Sequence, residues 1–326
     1  MALLIAILST LFIANCHQSN NISPSSKHGL FVENIVVDGA TRRYAIYIPK
    51  DLGDSPCPLI FELHGGGVYI EDMTGESGHK TPYKLWMDLA DVEEFIVVYP
   101  EGLNGSYGKP TWNDCRANST VSSDADDVAF ISQLMDSISS EYTIDSNRVY
   151  VSGMSNGGLM ALRLAVELSD KIAAVSTVGA SMPDSSKCGQ PQNPISILFM
   201  NGTADKFLPY HGGTLSNPPK PSHGTVYPVE YSVRFWVDFD HTDTIPTIYT
   251  YPDLDTNDGG NVIRYKYENG DEGTEVILYK INGGGHSAPS IEERYSSLFE
   301  FYFGKQNHDI EMVWEVWNFF KDKTLH

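Results

Sequence analysis

A serine between glycines is the first feature of this sequence that could do chemistry. Residues 153–157 read Gly-Met-Ser-Asn-Gly, which places Ser155 in a G-x-S-x-G pattern. An apolar, strand-like segment precedes the pattern, and a helical segment begins at Asn156. A serine exposed on such a sharp strand–helix turn is suited to nucleophilic attack on an acyl group. The alternative is an ordinary turn without a chemical role.

Two further residues could activate this serine. Serine is a weak nucleophile unless a base takes its proton and another group orients that base. Asp205 and His286 each directly follow a predicted strand, and the order serine, acid, histidine is typical of α/β sheets with this turn. His211 and His223 are rival bases, but neither follows a strand. Asp205 could alternatively be only a turn residue.

A glycine run after another predicted strand could stabilise negative charge. Residues 64–67 read His-Gly-Gly-Gly. Backbone amides approach a substrate closely where no side chain intervenes, so Gly65 or Gly66, together with Asn156, could form an oxyanion hole. His64 would then shape the loop rather than act as a base. The alternative is a plain flexible loop.

Predicted strands alternate with predicted helices along the chain. The strand-like segments are 43–49, 58–63, 95–99, 149–152, 173–178, 195–200 and 275–281; the helical ones are 83–91, 128–138, 156–168, 229–239 and 310–320. This alternation favours an α/β fold, a mostly parallel sheet with helices on both faces. Carboxyl ends of parallel strands meet at one edge, where Ser155, Asp205 and His286 would lie. Without a repeat or a second composition block, residues 31–326 are expected to form one domain.

Acidic residues dominate the charge of the chain. The 42 Asp and Glu residues against 22 Lys and Arg residues give a formal charge of −20, which disfavours nucleic acid and anionic lipid as partners. A neutral or cationic substrate fits better. Asp124, Asp126 and Asp127 precede a predicted helix and could bind a cation. Acids at a helix start also complement its dipole, and we adopt that interpretation.

The N-terminus has the pattern of an export signal. The apolar segment 3–14 is followed by polar residues from Cys16 onwards, and its length of about 18 Å is too short to span a membrane. We predict a signal peptide over 1–15 and a polar tether over 16–30, with an uncleaved apolar arm as the alternative. The residues up to Cys16 also resemble a bacterial lipoprotein cleavage box, which would place a lipid anchor on this cysteine. No other segment reaches spanning length.

Export would permit a disulfide bond. Apart from Cys16, the cysteines are Cys57, Cys115 and Cys188, among which one bond can form. The sequence does not select a pairing. The pair Cys115–Cys188 is a guess, and the alternative is that all three are small buried apolar residues.

Several segments taken together resemble a known family. They are 43–49, 63–67, 112–115, 126–131, 153–158, 201–205 with 209–210, and 283–286. The series resembles the secreted esterases grouped with poly(3-hydroxybutyrate) depolymerases, feruloyl esterases and acetyl xylan esterases, and it covers nearly all the chain from Arg43 onwards. The resemblance implies an α/β-hydrolase fold and ester hydrolysis without metal or cofactor, with Ser155 as nucleophile, Asp205 as acid and His286 as base.

Within the same segments, Trp112 and His64 are candidate substrate contacts. The sequence departs from the family pattern after His286, where Ser-Ala-Pro (287–289) replaces the more usual Thr-Trp-Pro. It also has Asn201 in place of a common histidine before the acid, and Cys115 is the single cysteine in the segment that directly follows residues 112–113.

The expected activity is therefore that of an exported serine esterase acting on a neutral, polymer-linked ester. Feruloyl or acetyl esters on polysaccharide are the first choice, and an aliphatic polyester is the second. Both kinds of polymer lie outside the cell, which agrees with export. A serine peptidase could use the same three residues. A non-enzymatic binding protein on this fold would usually lack one of them, and none is missing.

Overall fold

The computed structural model describes residues 27–215 and 223–325. The predicted signal peptide, Cys16 and residues 17–26 of the predicted tether lie outside the described residues. The first strand begins at Gly29, at the end of the predicted tether. That strand pairs with the next one through a two-residue turn at Asp38 and Gly39, both with positive φ. In the described ranges no helix is long and apolar enough to cross a membrane.

The strands form one large sheet and one small pair. In chain order they are β1 (Gly29–Val37), β2 (Ala40–Ile48), β3 (Cys57–Leu63), β4 (Ile96–Pro100), β5 (Ile144–Met154), β6 (Ala174–Val178), β7 (Ser196–Gly202), β8 (Gly213–Thr214), β9 (Thr225–Val226), β10 (Thr247–Thr250), β11 (Asn261–Tyr267) and β12 (Val276–Asn282). The large sheet has the order β1-β2-β4-β3-β5-β6-β7-β12-β11-β10, and β8 pairs with β9. Neighbouring strands from β4 to β12 are parallel, and two antiparallel strands flank them on each side.

Helices cover both faces of the large sheet. They are α1 (Ile70–Thr74), α2 (Leu85–Glu93), α3 (Asp127–Glu141), α4 (Asn156–Glu167), α5 (Val229–Phe239), α6 (Ser297–Phe303) and α7 (Met312–Phe320). One hydrophobic cluster joins the sheet to α3, α4 and α5, and a second joins it to α2 and α7. Strands β3, β4, β6 and β7 are buried along their whole length, which explains why most of their residues are apolar. The predicted fold class, a mostly parallel sheet between helices, is confirmed.

Two acidic residues at the start of α3 make contacts within the protein itself. Asp126 caps the helix, since its Oδ1 accepts a hydrogen bond from the Ala129 amide at 2.9 Å. Asp127 is buried and pairs with the equally buried Arg42 at 2.6 Å. These contacts agree with the interpretation of the acids as helix-start residues.

A disulfide joins Cys115 to Cys188, the pairing guessed from the sequence. It links two loops that are 73 residues apart along the chain. Cys57 is a buried free cysteine within β3. The disulfide therefore constrains the loop that precedes α3 against the loop that follows β6.

Replacing both cysteines of this bond with serine (C115S with C188S) should lower the free energy of unfolding by about 4 kcal/mol, because the bond closes a long loop in the unfolded chain. Urea denaturation of the two proteins measures the difference. A reducing agent should destabilise the wild type by a similar amount and leave the double variant unchanged. A loss below about 1 kcal/mol in both experiments would contradict this expectation.

Candidate active site

Ser155 occupies a strained turn between β5 and α4. Its φ of 54° and ψ of −117° lie outside the regions that a residue with a side chain ordinarily adopts. The backbone amide of Ser155 donates to the Val178 carbonyl at 2.8 Å, which ties the turn to the end of β6. Surrounding structure must hold such a conformation in place, and it is typical of functional sites.

Gly153 and Gly157, the two glycines of the pattern, lie where backbone segments pack directly against each other. A Cβ atom on Gly157 would lie 2.5 Å from the carbonyl oxygen of His64, and one on Gly153 would lie 2.5 Å from the carbonyl carbon of Gly157. Real Cβ atoms do not approach so closely, so neither position accepts a side chain without movement of the backbone. The start of α4 thus packs directly on the end of β3.

Asp205 and His286 are brought together by neighbouring strands. Asp205 follows β7 and His286 follows β12, and these strands pair in parallel. The imidazole Nδ1 lies 2.6 Å from the Asp205 Oδ2, and both residues are only 7% exposed. An N–H at Nδ1 donating to the carboxylate leaves Nε2 as the nitrogen that can accept a proton.

One cavity connects the serine and the histidine. Ser155 and His286 both line a cavity of about 760 Å³ at the carboxyl ends of the strands. Of the rival histidines, neither His211 nor His223 lies among the described residues that line it. The structure thus brings the three residues Ser155, Asp205 and His286 to one end of the sheet.

The glycine loop after β3 lies beside this turn. A Cβ atom on Gly65 would be 3.6 Å from the Ser155 Cβ, and one on Gly66 would be 3.6 Å from the Asn156 Cβ. Across residues 27–215 and 223–325, no hydrogen bond occupies the amides of Gly65 and Gly66. The Asn156 amide belongs to the first turn of α4, where N–H groups have no partner within the helix. All three candidate oxyanion donors therefore lie next to Ser155.

Trp112 and His64, the predicted substrate contacts, do not line this cavity. Both side chains are fully buried beneath the glycine loop. The His64 Nε2 accepts from the Gly102 amide at 2.9 Å, its Nδ1 lies 2.8 Å from the Gly65 carbonyl, and the Trp112 Nε1 donates to the His64 carbonyl at 2.8 Å. Burial lowers the pKa of His64 to about 4, so the ring is neutral. The expectation that His64 shapes the loop is the one these contacts support.

Asp114 is a site residue that the sequence reasoning missed. It is fully buried, and its Oδ2 accepts a hydrogen bond from the Asn156 Nδ2 at 2.6 Å. The same oxygen forms an ion pair with the guanidinium of Arg116, also at 2.6 Å. The Asn156 Oδ1 in turn accepts from the Trp112 amide at 2.7 Å. This network fixes the start of α4 to the loop before α3. In the sequence, the only signal for this role was that Asp114 directly follows the Trp-Asn pair at 112–113.

Aromatic side chains form the wall of the cavity, and the sequence reasoning missed them too. They are Tyr83, Tyr295, Phe299, Tyr302 and Phe303. Most belong to α6, which has no buried residue of its own. Apolar residues lie on both sides of this short helix, since Phe299 and Phe303 line the cavity whereas Phe301 is 75% exposed. Its pattern therefore gave no signal for a helix.

Glu62 is a buried acid one residue before the end of β3. Its Oε2 accepts a hydrogen bond from the Trp86 Nε1 at 2.8 Å, whereas no partner among the described residues reaches its Oε1. Burial raises the pKa of Glu62 to about 8, which opposes the weaker effects of Ser152 and Trp86. The strand that carries the glycine loop thus contains a carboxyl group whose burial favours the protonated form.

Comparison with solved structures identifies the fold. A thermostable esterase matches over 90% of this chain and 63% of its own, with a TM-score of 0.52 at 13% identity. An acetyl xylan esterase from Aspergillus awamori matches over 80% of this chain and 95% of its own, with a TM-score of 0.51 at 16% identity. The sheet and these similarities define an α/β-hydrolase fold, as the resemblance implied.

Sequence comparison identifies the family. The family model described as esterase PHB depolymerase matches residues 42–186. "Putative esterase NocK" of Nocardia uniformis subsp. tsuyamanensis is 30% identical over 78% of this chain and 73% of its own length. Feruloyl esterase D of Neurospora crassa is 24% identical over 88% of both chains. The chain belongs to the esterase PHB depolymerase family and is a carboxylic ester hydrolase.

Some relatives are much longer than the matched region. The bifunctional acetylxylan esterase/xylanase XynS20E of Neocallimastix patriciarum is 29% identical over 78% of this chain, which spans only 32% of that protein.

The buried Glu62 predicts a pH dependence of stability. The folded protein binds this proton more tightly than the unfolded chain, so stability should fall as the pH rises from about 4.5 to about 8, by up to about 1.4 kcal/mol per pH unit. The variant Glu62→Gln removes the titration and keeps an oxygen for Trp86. The free energy of unfolding of Glu62→Gln, relative to that of the wild type, should therefore increase as the pH rises from about 4.5 to about 8. Urea denaturation at several pH values measures this difference.

The exposed Glu76 provides a matched control. The variant Glu76→Gln should show the pH dependence of the wild type. A constant difference in stability between Glu62→Gln and the wild type from pH 4.5 to 8 would contradict the expectation.

Proposed function

We propose that this esterase hydrolyses its substrate through a triad of Ser155, His286 and Asp205. The hydrogen bond of 2.6 Å between His286 and Asp205, beside a cavity shared with Ser155, is the observation that carries the proposal. Through Nε2, His286 takes the proton of the Ser155 hydroxyl as the oxygen attacks the ester carbonyl. Asp205 keeps the imidazole in the required tautomer and stabilises the imidazolium.

Backbone amides stabilise the oxyanion in this scheme. The Asn156 amide and those of Gly65 and Gly66 would donate to the carbonyl oxygen as it becomes negative, which favours the transition state over the ground state. The imidazolium then protonates the leaving alcohol, and an acyl group remains on Ser155. Water, activated by the same histidine, releases the acid and restores the serine.

The cavity favours an ester with a bulky, aromatic acyl group. At about 760 Å³ it far exceeds what an acetyl group fills, and its rings offer surfaces on which another ring can stack. The net charge of −20 disfavours anionic substrates. We therefore place feruloyl-type esters of a neutral polysaccharide first, ahead of acetyl esters.

An aliphatic polyester is the second candidate, because apolar side chains surround the mouth of the cavity. Leu298 and Tyr302 line the cavity while 68% and 60% of each stays exposed. Exposed apolar residues of this kind could contact the surface of an insoluble polymer.

Export belongs to the proposal as well. A polymer substrate is reached outside the cell, and the pattern of residues 3–14 predicts the signal that would take the protein there. The disulfide between Cys115 and Cys188 suits an oxidising compartment. A lipid on Cys16 would tether the enzyme to a membrane surface. If the anchor is present, the protein should stay with washed membranes until detergent releases it. The variant Cys16→Ala should not bind these membranes.

The variant Ser155→Ala should lose esterase activity by about 10⁴-fold or more, because the members of a triad act as a unit. Hydrolysis of a p-nitrophenyl ester measures the loss, and a fluorophosphonate probe should label the wild type but not the variant. Undiminished hydrolysis by Ser155→Ala would reject the proposed mechanism. Amide hydrolysis with little esterase activity would indicate a peptidase instead, and a folded wild type that resists the probe would indicate a binding protein.

Acyl preference can be tested with one wall residue and one outer residue of α6. The variant Phe299→Ala should lower kcat/KM for methyl ferulate about tenfold more than kcat/KM for methyl acetate, since only the larger acyl group uses the apolar surface that is removed. Phe301 does not line the cavity, so Phe301→Ala serves as the control. Equal effects of Phe299→Ala on both esters would contradict an aromatic acyl site. Hydrolysis of polyhydroxybutyrate film in preference to methyl ferulate would favour the second candidate.

A further inference from the structure

Phe207 is a half-exposed residue whose ring packs against His286. The centroids of the two rings are 5.5 Å apart, and their planes are inclined by 30°. Phe207 is 46% exposed and belongs to none of the hydrophobic core clusters of the described residues. The ring therefore contributes little to the core, and its main partners lie at the candidate active site.

A single carboxylate holds both partners of this contact. The Asp205 Oδ2 accepts from the Nδ1–H of His286 at 2.6 Å, and its Oδ1 accepts from the backbone amide of Phe207 at 2.8 Å. The hydrogen bond at Nδ1 fixes one atom of the imidazole but leaves the ring free to tilt about that atom. The ring of Phe207 restricts this tilt.

The backbone approaches the same imidazole closely at Gly179. A Cβ atom there would lie 3.2 Å from the His286 Nδ1 and 3.3 Å from its Cε1, and the φ of Gly179 is +57°. The close approach and the positive φ both favour glycine at this position. The imidazole is thus packed against a backbone segment as well as against Phe207.

A column of rings from the α6 region supports Phe207 from behind. Phe303 stacks on Phe207 with centroids 4.9 Å apart, Phe299 stacks on Phe303 at 4.4 Å, and Tyr295 stacks on Phe299 at 4.0 Å. The Phe303 carbonyl also accepts a hydrogen bond from the His286 amide at 2.7 Å. The same segment therefore fixes the backbone of His286 and, through Phe207, the position of its ring.

We propose that Phe207 is a positioning residue for the base. It keeps the His286 imidazole in the orientation that serves Ser155, and its ring face stabilises the imidazolium that forms during proton transfer. This inference rests on the proposed triad. Among the described residues that line the acyl cavity Phe207 is absent, so its removal should slow turnover and leave substrate binding unchanged.

The test compares Phe207→Leu with Phe207→Tyr in the full chain. For both p-nitrophenyl acetate and methyl ferulate, Phe207→Leu should lower kcat by about three- to tenfold and leave KM within about twofold. Phe207→Tyr, which keeps the ring, should restore kcat to within about twofold of the wild type. Counting active sites with a fluorophosphonate normalises kcat to folded enzyme, so partial misfolding cannot imitate the effect. An unchanged kcat in Phe207→Leu, or a rise in KM for ferulate alone, would overturn the proposal.

A matched control makes the same substitution elsewhere on the aromatic segment. Phe301 is 75% exposed and outside the ring column, so Phe301→Leu should retain the kcat and KM of the wild type. An equal loss of kcat in both leucine variants would overturn the specific role of Phe207. The result for Ser155→Ala separates the two levels: full activity there rejects the triad, whereas an inactive Ser155→Ala with an unimpaired Phe207→Leu rejects only this inference.

Discussion

The candidate site depends on one point where backbone packs directly on backbone. The start of α4 touches the end of β3 at Gly157, where even a methyl group would collide with the His64 carbonyl. Ser155 and the glycine loop both leave the sheet from this crossing, so their separation is set by the contact between two main chains. Side-chain packing alone would let this separation vary more, because side chains can change rotamer whereas a contact between two main chains cannot adjust in this way. The positive φ of Ser155 is the local consequence of making the turn so tight.

Beneath the glycine loop, next to this crossing, the buried side chains are polar rather than apolar. Burying such groups is unfavourable unless their hydrogen bonds are satisfied. His64, Trp112, Asn156 and Asp114 satisfy one another and the backbone of the glycine loop through the contacts described above. Because burial favours the neutral form of His64, its Nε2 remains an acceptor for a backbone amide at ordinary pH. The loop can therefore expose its own amides toward the cavity without collapsing into it.

The parts predicted well from the sequence are those that are buried on both faces or that follow such a strand. Strands such as β4 and β7 are mostly apolar, and Asp205 and His286 could be placed at strand ends because each follows a strand of this kind. The antiparallel strand β11 was not predicted. Tyrosine alternates there with arginine and lysine, and most of its residues are half-buried, so the strand has little apolar periodicity. The burial of Trp112 could not be predicted, for a different reason. A sequence pattern locates a residue near a site but does not tell whether its ring faces the cavity or supports the loop from below.

The aromatic side chains near His286 have no role in the hydrophobic core of the described residues. The residue two positions after His286 is Ala288, which is fully buried where the family pattern usually has tryptophan. Aromatic surface is supplied instead by Phe207 and by α6, a helix that buries no residue of its own. Substitutions on α6 can therefore reshape the cavity at little expense to stability. The limit on such change is the hydrogen bond between the His286 amide and the Phe303 carbonyl, because any shift of α6 at that end would also move His286.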